Sequence, residues 1–262
     1  MKIVIDDKIP YIRGAFEPFA EVIYLPGSKT TADVVKDADA LVTRTRTICN
    51  RNLLEGSYVK FIATATIGYD HIDTEYCREA GIEWTNAKGC NAESVNQYVA
   101  SALFARAIKN RQDPARKTIG IVGVGNVGTK VEKLARTIGM KVLLNDPPRE
   151  RKEGSANFVS LEKIQHEADV ITFHVPLNRT GPDATFHMID EQFLQNLDKK
   201  PLIINSCRGE VHNTPAVKKA IENGMISGFI ADCWENEPLI DLELLDMAVY
   251  GTPHIAGYSR DG

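Results

Sequence analysis

No window of this 262-residue chain approaches the roughly 18 apolar residues that a membrane helix needs. Its start, MKIVIDDKIP, has neither a basic stretch nor a long apolar run, so no signal peptide is expected and the cytoplasm is the expected compartment. Positive charge is not in excess: 31 Lys and Arg face 35 Asp and Glu, a net charge of −4. That argues against a nucleic-acid protein held mainly by phosphate contacts. The five cysteines, Cys49, Cys77, Cys90, Cys207 and Cys233, are odd in number and form no Cys-x-x-Cys pair. Neither a disulfide framework nor a zinc site is expected, and no metal; the thiols read as reduced and mostly buried. Repeats and low-complexity tracts are missing too.

What is there is an alternation of short apolar runs with amphipathic stretches. KIVID, EVIYL, ALVTR, VKFIATAT and IEWTNA read as strands, with helices expected near 10–18, 30–36, 50–54 and 73–80. A longer helix is expected in NAESVNQYVASALFARAIKN, where Val95, Val99, Ala102, Leu103 and Ile108 recur at helical spacing. A second series of strands follows: TIGIVG, KVLLND, VITFHV, PLIINSC, SGFIADC and VYGTPH. Runs of Ile and Val without polar alternation belong to parallel sheets covered on both faces. Strands alternating with helices make the fold class α/β and doubly wound. The boundary between the two series is expected within 95–115, with domains at 1–98 and 99–254.

The start of the second series carries chemistry. Gly123-Val124-Gly125-Asn126-Val127-Gly128 follows a strand and opens a helix with one apolar face. Gly123 allows the tight turn, Gly125 admits a pyrophosphate to the backbone, and Gly128 lets helix and strand approach. The helix N-terminus offers unpaired N–H groups to the phosphates. Asp146, 23 residues after Gly123, ends the next strand, where a carboxylate accepts from both ribose hydroxyls and repels a 2′-phosphate. NAD is therefore favoured over NADP, although Arg149 and Arg151 follow closely and keep NADP in play. A glycine turn without ligand and an S-adenosylmethionine site are the competing readings.

Three later strands should also end toward that cofactor. PLIINSCRGEVHN puts Arg208 past one end, FIADCWENEP puts Asp232, Glu235 and Glu237 past another, and VYGTPHIAGYS puts His254 past a third. Arginine, carboxylate and histidine suit redox chemistry on a 2-hydroxy acid. A neutral histidine takes the hydroxyl proton as hydride leaves. Glu237 fixes its tautomer and raises its pKa, Arg208 grips the substrate carboxylate at two points, and Asp232 suits the nicotinamide carboxamide. Singly, each has a plain structural reading. His71, His166, His174, His187 and His212 are read as structural, with His174 nearest the nicotinamide side.

These motifs together resemble the D-isomer-specific 2-hydroxyacid dehydrogenases, over essentially the whole chain. The resemblance implies two doubly wound domains, a flavodoxin-like substrate domain and a Rossmann NAD domain, with Arg208, Glu237 and His254 as the catalytic set. It implies further cofactor contacts at Val175, Ser206, Cys207 and Gly257. ATATIGYDHID, GCNAESVNQYV and HIAGYSRDG narrow it to a branch that oxidises a phosphorylated 2-hydroxy acid. For that branch Thr45, Thr66 and Tyr258 are implied to touch substrate, with backbone N–H groups near Ile67 and Gly68 on its carboxylate. Arg44 and Arg46 in VTRTRT agree: along a strand, arginines and threonines would take opposite faces, and guanidinium plus hydroxyl groups suit a phosphate. Other expectations are a small-molecule partner, a homodimer at full length, and no nucleic-acid or membrane partner. The resemblance implies that the chain after His254 re-enters the first domain (255–262 here) and continues into a C-terminal dimerisation domain, which is expected to be absent from these 262 residues, either by truncation or because the remainder is not included. A relative acting on glycerate or 3-phosphoglycerate, and a non-catalytic NAD(H) sensor, are the alternatives.

Overall fold

A computed structural model describes residues 1–258. The chain divides into two units, Met1–Cys90 and Asn91–Gly262.

In the first unit, β1 (Lys2–Asp6), β2 (Glu21–Leu25), β3 (Ala40–Thr43), β4 (Phe61–Thr64) and β5 (Glu83–Asn86) form a parallel sheet of order β2-β1-β3-β4-β5. That is the flavodoxin-like order. Side chains alternate across it: Ile3 and Ile5 enter one core with Val42, while Val4 enters the other with Leu41 and Ile62. The connecting helices are α1 (Ala32–Val35), α2 (Arg51–Leu54) and α3 (Thr74–Ala80). Asn50 and Asp73 cap α2 and α3 by accepting from Leu53 and Tyr76 N–H groups.

The helix expected at 10–18 is a set of turns instead. Tyr11 and Gly14 take φ of 57° and 89°, which a right-handed helix does not admit. Glu17 organises the segment by accepting from the Gly14 N–H (2.8 Å) and the Tyr24 hydroxyl (2.8 Å). Those bonds, the Gly14 N–H first, pull its carboxyl pKa down to about 2.

The second unit opens with α4 (Ala92–Asn110) and continues through β6 (Thr118–Val122), α5 (Asn126–Ile138), β7 (Lys141–Asn145), α6 (Pro147–Glu153), α7 (Leu161–Glu167) and β8 (Val170–Phe173). Then come α8 (Glu191–Gln195), β9 (Leu202–Asn205), α9 (Thr214–Glu222), β10 (Gly228–Ala231), α10 (Leu242–Met247) and β11 (Tyr250–Gly251). Its parallel sheet runs β11-β10-β9-β8-β6-β7. Val159 adds one further rung outside β7, its N–H donating to the Leu144 carbonyl (2.8 Å). The chain then crosses back to β8, so the order reverses between β6 and β8, as in a Rossmann domain.

Alternation again splits the core: Ile203, Phe229 and Ala231 face one cluster, and Leu202, Ile204 and Ile230 the other. The division at Cys90 lies upstream of the 98/99 boundary read from the sequence. Val99, Ala102 and Leu103 of α4 share a buried cluster with Ile119, Ile121 and Val131, so the whole helix belongs to the second unit. Of the return expected at 255–262, residues 259–262 lie outside the described residues.

Candidate active site

Because the second sheet is parallel, β6, β7, β8, β9, β10 and β11 all release their chain at one edge. Each candidate residue of this unit leaves from that edge.

At the reversal point, β6 runs into Gly123, whose φ is 88°. A Cβ there would stand 2.6 Å from the carbonyl oxygen of His174, the residue that follows β8. Only glycine meets both demands. A Cβ on Gly128 would lie 2.0 Å from the Gly123 carbonyl oxygen, so helix and turn touch there. Gly125, the N-cap of α5, faces open space. Its missing side chain is thus not required by neighbouring protein atoms, and the gap beside the helix N-terminus suits a pyrophosphate. Asn126 and Val127 form the first turn behind it.

Asp146 ties this loop to the end of β7. One carboxylate oxygen accepts from the Val124 N–H (2.8 Å), and the other caps α6 at the Arg149 N–H (3.0 Å). The two arginines that kept NADP in play are both engaged. Arg149 donates to both carboxylate oxygens of Glu153 (2.8 and 2.7 Å) and to the Val124 carbonyl (2.5 Å). Arg151 pairs with Asp183. Asp146 thus holds the loop at the Val124 N–H, and Arg149 holds it at the Val124 carbonyl. Past β9, the buried Ser206 hydroxyl has no hydrogen-bond partner among the described residues, so a polar group at the strand end is left for a ligand. Val175 is partly buried past β8, and its side chain borders Gly123. With the fingerprint loop, these residues fit a dinucleotide.

The catalytic candidates converge through backbone contacts. Asn205, the last residue of β9, accepts from the Cys207 N–H (3.1 Å) and donates to the Arg208 carbonyl (2.8 Å), folding the chain around Arg208. Arg208 donates from one terminal nitrogen to the Cys207 carbonyl (2.7 Å). A Cβ on the next residue, Gly209, would sit 1.9 Å from the Trp234 carbonyl oxygen. The Arg208 turn is thereby pressed onto the loop that carries Glu237.

His254 Nδ1 lies 2.8 Å from Glu237 Oε2, and the other oxygen of Glu237 accepts from the Trp234 N–H (2.8 Å). The histidine takes φ of 55°, an uncommon conformation for a residue with a side chain. Its ring is 47% exposed. The bond to Glu237 raises its pKa against the opposing effect of partial burial. Burial pushes the Glu237 carboxyl upward, and the bonds from His254 and Trp234 outweigh it, leaving the pKa lowered. Arg208 favours the charged form of Glu237 and disfavours that of His254, so its charge is felt at both.

Asp232 has a larger structural part than the sequence reading gave it. It is 1% exposed, and its two oxygens accept from the Ile255 and Ala256 N–H groups (2.8 Å each) and the Thr252 hydroxyl (2.6 Å). Its own carbonyl accepts from the His254 N–H (2.8 Å). The segment that presents His254 is wrapped around this one carboxylate. Gly257 lies against Asn91, where a Cβ would be 2.2 Å from its amide nitrogen.

Glu235, two residues from Glu237, points elsewhere. It pairs with His187 Nε2 (2.6 Å) and accepts from the Thr214 N–H at the start of α9 (2.7 Å). The remaining histidines also hold structural posts. His71 is buried against the Thr64 hydroxyl (3.0 Å), and burial lowers its pKa. His166 pairs with Asp198 (2.8 Å). His212 is buried, which lowers its pKa to about 4, and sits 3.0 Å from Asn205 Nδ2. Burial takes His174 down to about 3 beside the Thr172 hydroxyl.

In the first unit, the strand alternation read into VTRTRT does not occur. β3 stops at Thr43, and a turn over 44–47 is closed by the Thr47 N–H to the Arg44 carbonyl (3.2 Å). Thr47 is buried beside Gly27, which pulls the chain out of the sheet. Thr45 and Arg46 are exposed in that turn, and Arg44 donates to the Lys8 carbonyl (3.1 Å). Thr66 donates to the Gly68 carbonyl (2.7 Å) and touches Thr64, while Asn86 holds the Ile67 carbonyl (2.6 Å). This shapes the 66–68 loop. Tyr258 is exposed.

The profile of the D-isomer specific 2-hydroxyacid dehydrogenase, NAD binding domain, matches residues 90–256. A protein of Bacteroides thetaiotaomicron named erythronate-4-phosphate dehydrogenase is 60% identical over the whole of this chain and 76% of its own length. One of the same name from Porphyromonas gingivalis is 46% identical, covering all of this chain and 71% of its own. Among solved structures, a D-lactate dehydrogenase of Aquifex aeolicus, complexed with NAD and lactic acid, superposes with a TM-score of 0.81 at 27% identity. That match covers 99% of this chain and 90% of the other.

Proposed function

The chain belongs to the D-isomer-specific 2-hydroxyacid dehydrogenases, and from that footing we propose that it oxidises 4-phospho-D-erythronate to (R)-3-hydroxy-2-oxo-4-phosphonooxybutanoate, with NAD as acceptor, in the synthesis of vitamin B6. The observation that carries the chemistry is the His254–Glu237 pair, set beside Arg208 in the unit that bears the dinucleotide loop. The similarity to the Bacteroides and Porphyromonas enzymes supports the substrate.

When bound, NAD supplies the hydride acceptor. His254 takes the C2 hydroxyl proton at its outward nitrogen, and Glu237 stabilises the imidazolium that results. Arg208 binds the carboxylate next to C2. The balance is hydroxy acid plus NAD⁺ to oxo acid, NADH and one proton. The acceptor works in its neutral form, so turnover rises with pH through the raised pKa of His254.

The resemblance supports further assignments. Residues 1–90 bind substrate, with the 66–68 loop on its carboxylate and Thr45 and one of Arg44 or Arg46 near the phosphate end; Tyr258, in the second unit, is a further substrate residue. Val175, Ser206, Cys207 and Gly257 line the cofactor, and Asp232 takes its carboxamide. A cytoplasmic homodimer is the proposed assembly. Among the described residues, no helix is long and apolar enough to cross a membrane.

The test is absorbance of NADH formed from 4-phosphoerythronate, beside 3-phosphoglycerate, D-glycerate and D-lactate. Turnover of 4-phosphoerythronate in clear preference supports the reading. Preference for another acid keeps the chemistry and removes the substrate. NADH binding without any turnover makes the protein a sensor.

A further inference from the structure

Cysteine spacing gives no sign of a metal site, yet the fold gathers one from three separated positions. Cys233, Glu237 and His254 each offer one ligand atom, and these atoms lie within 4.8 Å of one another. We infer that Cys233, Glu237 and His254 form a site for a thiophilic divalent cation of the zinc class, and that its occupation silences the proton acceptor.

The set matches that metal. A thiolate, an imidazole and a carboxylate are all zinc ligands, and the sulfur disfavours magnesium and calcium, which take oxygen. Zinc bonds near 2.0–2.3 Å place tetrahedral ligand atoms roughly 3.3–3.8 Å apart, so the trio needs only small movements to close. The sulfur side is fixed. Cys233 is buried between Asp232, which holds three hydrogen bonds, and Trp234, whose indole N–H donates to the Thr252 carbonyl (2.9 Å). The other two ligands face solvent, for Glu237 and His254 are 34% and 47% exposed. A cation therefore arrives from the solvent side and meets the sulfur behind.

Coordination replaces the hydrogen bond between His254 and Glu237 by two metal bonds. The Cys233 thiol proton leaves to the buffer, and nothing is oxidised or reduced. Three protein ligands leave a fourth position to water. The Glu237–His254 couple that the proposed reaction needs is then broken, so inhibition rests on that reading. Binding does not rest on it and is measured without substrate.

The experiment is calorimetric titration of the whole chain with zinc chloride, run beside magnesium chloride. Cys90→Ser serves as background, because Cys90 is an exposed thiol. The same zinc series is then applied to turnover and reversed with EDTA. The expected result is one zinc ion per chain, no magnesium effect, and chelator-reversible loss of turnover at the concentration that fills the site. Cys233→Ala and Cys233→Ser should keep basal turnover and weaken zinc binding by roughly tenfold or more. Far-ultraviolet circular dichroism checks that both fold. Equal zinc affinity in both folded variants, or no zinc binding by the parent, overturns the inference. If the parent lacks turnover but binds zinc through Cys233, only the proposed function fails.

Discussion

Two histidine–carboxylate pairs hang from one loop, and they have different work. Glu235 meets His187 at 2.6 Å and Glu237 meets His254 at 2.8 Å. Both histidines take left-handed backbone, with φ of 52° and 55°. Neither the hydrogen bond nor the strain separates them. The difference lies in what each pair has left over. Glu235 also accepts from the Thr214 N–H at the start of α9, and the other nitrogen of His187 lies 3.3 Å from Asn213 Nδ2. That pair is satisfied on all sides and ties loops together. Glu237 spends its second oxygen on the loop's own Trp234 N–H, and among the described residues no hydrogen bond reaches His254 Nε2. Burial matters as well: the side chains of His187 and Glu235 are 28% and 15% exposed, against 47% and 34%. A pair becomes chemically useful when one nitrogen stays open to a reactant.

The sharpest contrast comes from removing each histidine. His254→Ala should lower kcat by roughly 10²–10⁴-fold while NADH affinity, read by fluorescence, stays near normal. His187→Ala should leave kcat within a few-fold and lower the melting temperature instead. Equal losses of kcat would erase the distinction. Asp232→Ala comes next. It strands the Ile255 and Ala256 N–H groups, so it should cost about 1–3 kcal/mol in denaturant unfolding and lower kcat as well. Normal unfolding and rate would mean the His254 segment holds itself.

Cofactor choice gives a smaller effect. Asp146→Ser alone should raise the NADP/NAD ratio of kcat/KM modestly, because Arg149 remains bound to Glu153 and Val124. Adding Glu153→Gln should free that arginine for a 2′-phosphate and raise the ratio roughly tenfold further. No gain from the second change would place the 2′ discrimination elsewhere.

Stability against pH shows the least change. His254 has a raised pKa, so its contribution is complete below its ordinary 6.5 and is lost as pH rises through the raised value. Glu237 has a lowered pKa, so its contribution is present above its ordinary 4.5 and is lost as pH falls through the lowered value. The pair therefore supports the fold most fully between those ordinary values. Glu237→Gln should flatten a shallow maximum there in melting temperature, and an unchanged profile would leave the pair without a stabilising part.

Both sheets were legible in the sequence because most of their strands are short apolar runs, and the dinucleotide loop because its glycines sit between the Ile- and Val-rich β6 and a helix. The segment 10–18 was not, since its shape comes from Glu17 collecting bonds from Gly14 and from Tyr24 on β2. VTRTRT looked like a strand, but the buried seat of Thr47 beside Gly27 ends it early. Arg208, Glu237 and His254 could be chosen as types of residue past strand ends. The two glutamates of WENEP are alike in sequence, and only the fold shows that one is claimed by a histidine 48 residues upstream. Asp232 was chosen for a ligand, while its three bonds to residues 20–24 positions later had no local signal.

The most direct measurement is the pH profile of kcat/KM for 4-phosphoerythronate oxidation in the parent, Glu237→Gln and Glu235→Gln. The parent should gain activity as pH rises through the raised pKa of His254. In Glu237→Gln that limb should move to lower pH, because the imidazolium has lost its carboxylate, and the plateau should fall. Glu235→Gln should keep the parent's limb. A limb that stays in place in Glu237→Gln, or moves equally in both variants, would contradict the assignment of the Glu237–His254 pair as the proton acceptor.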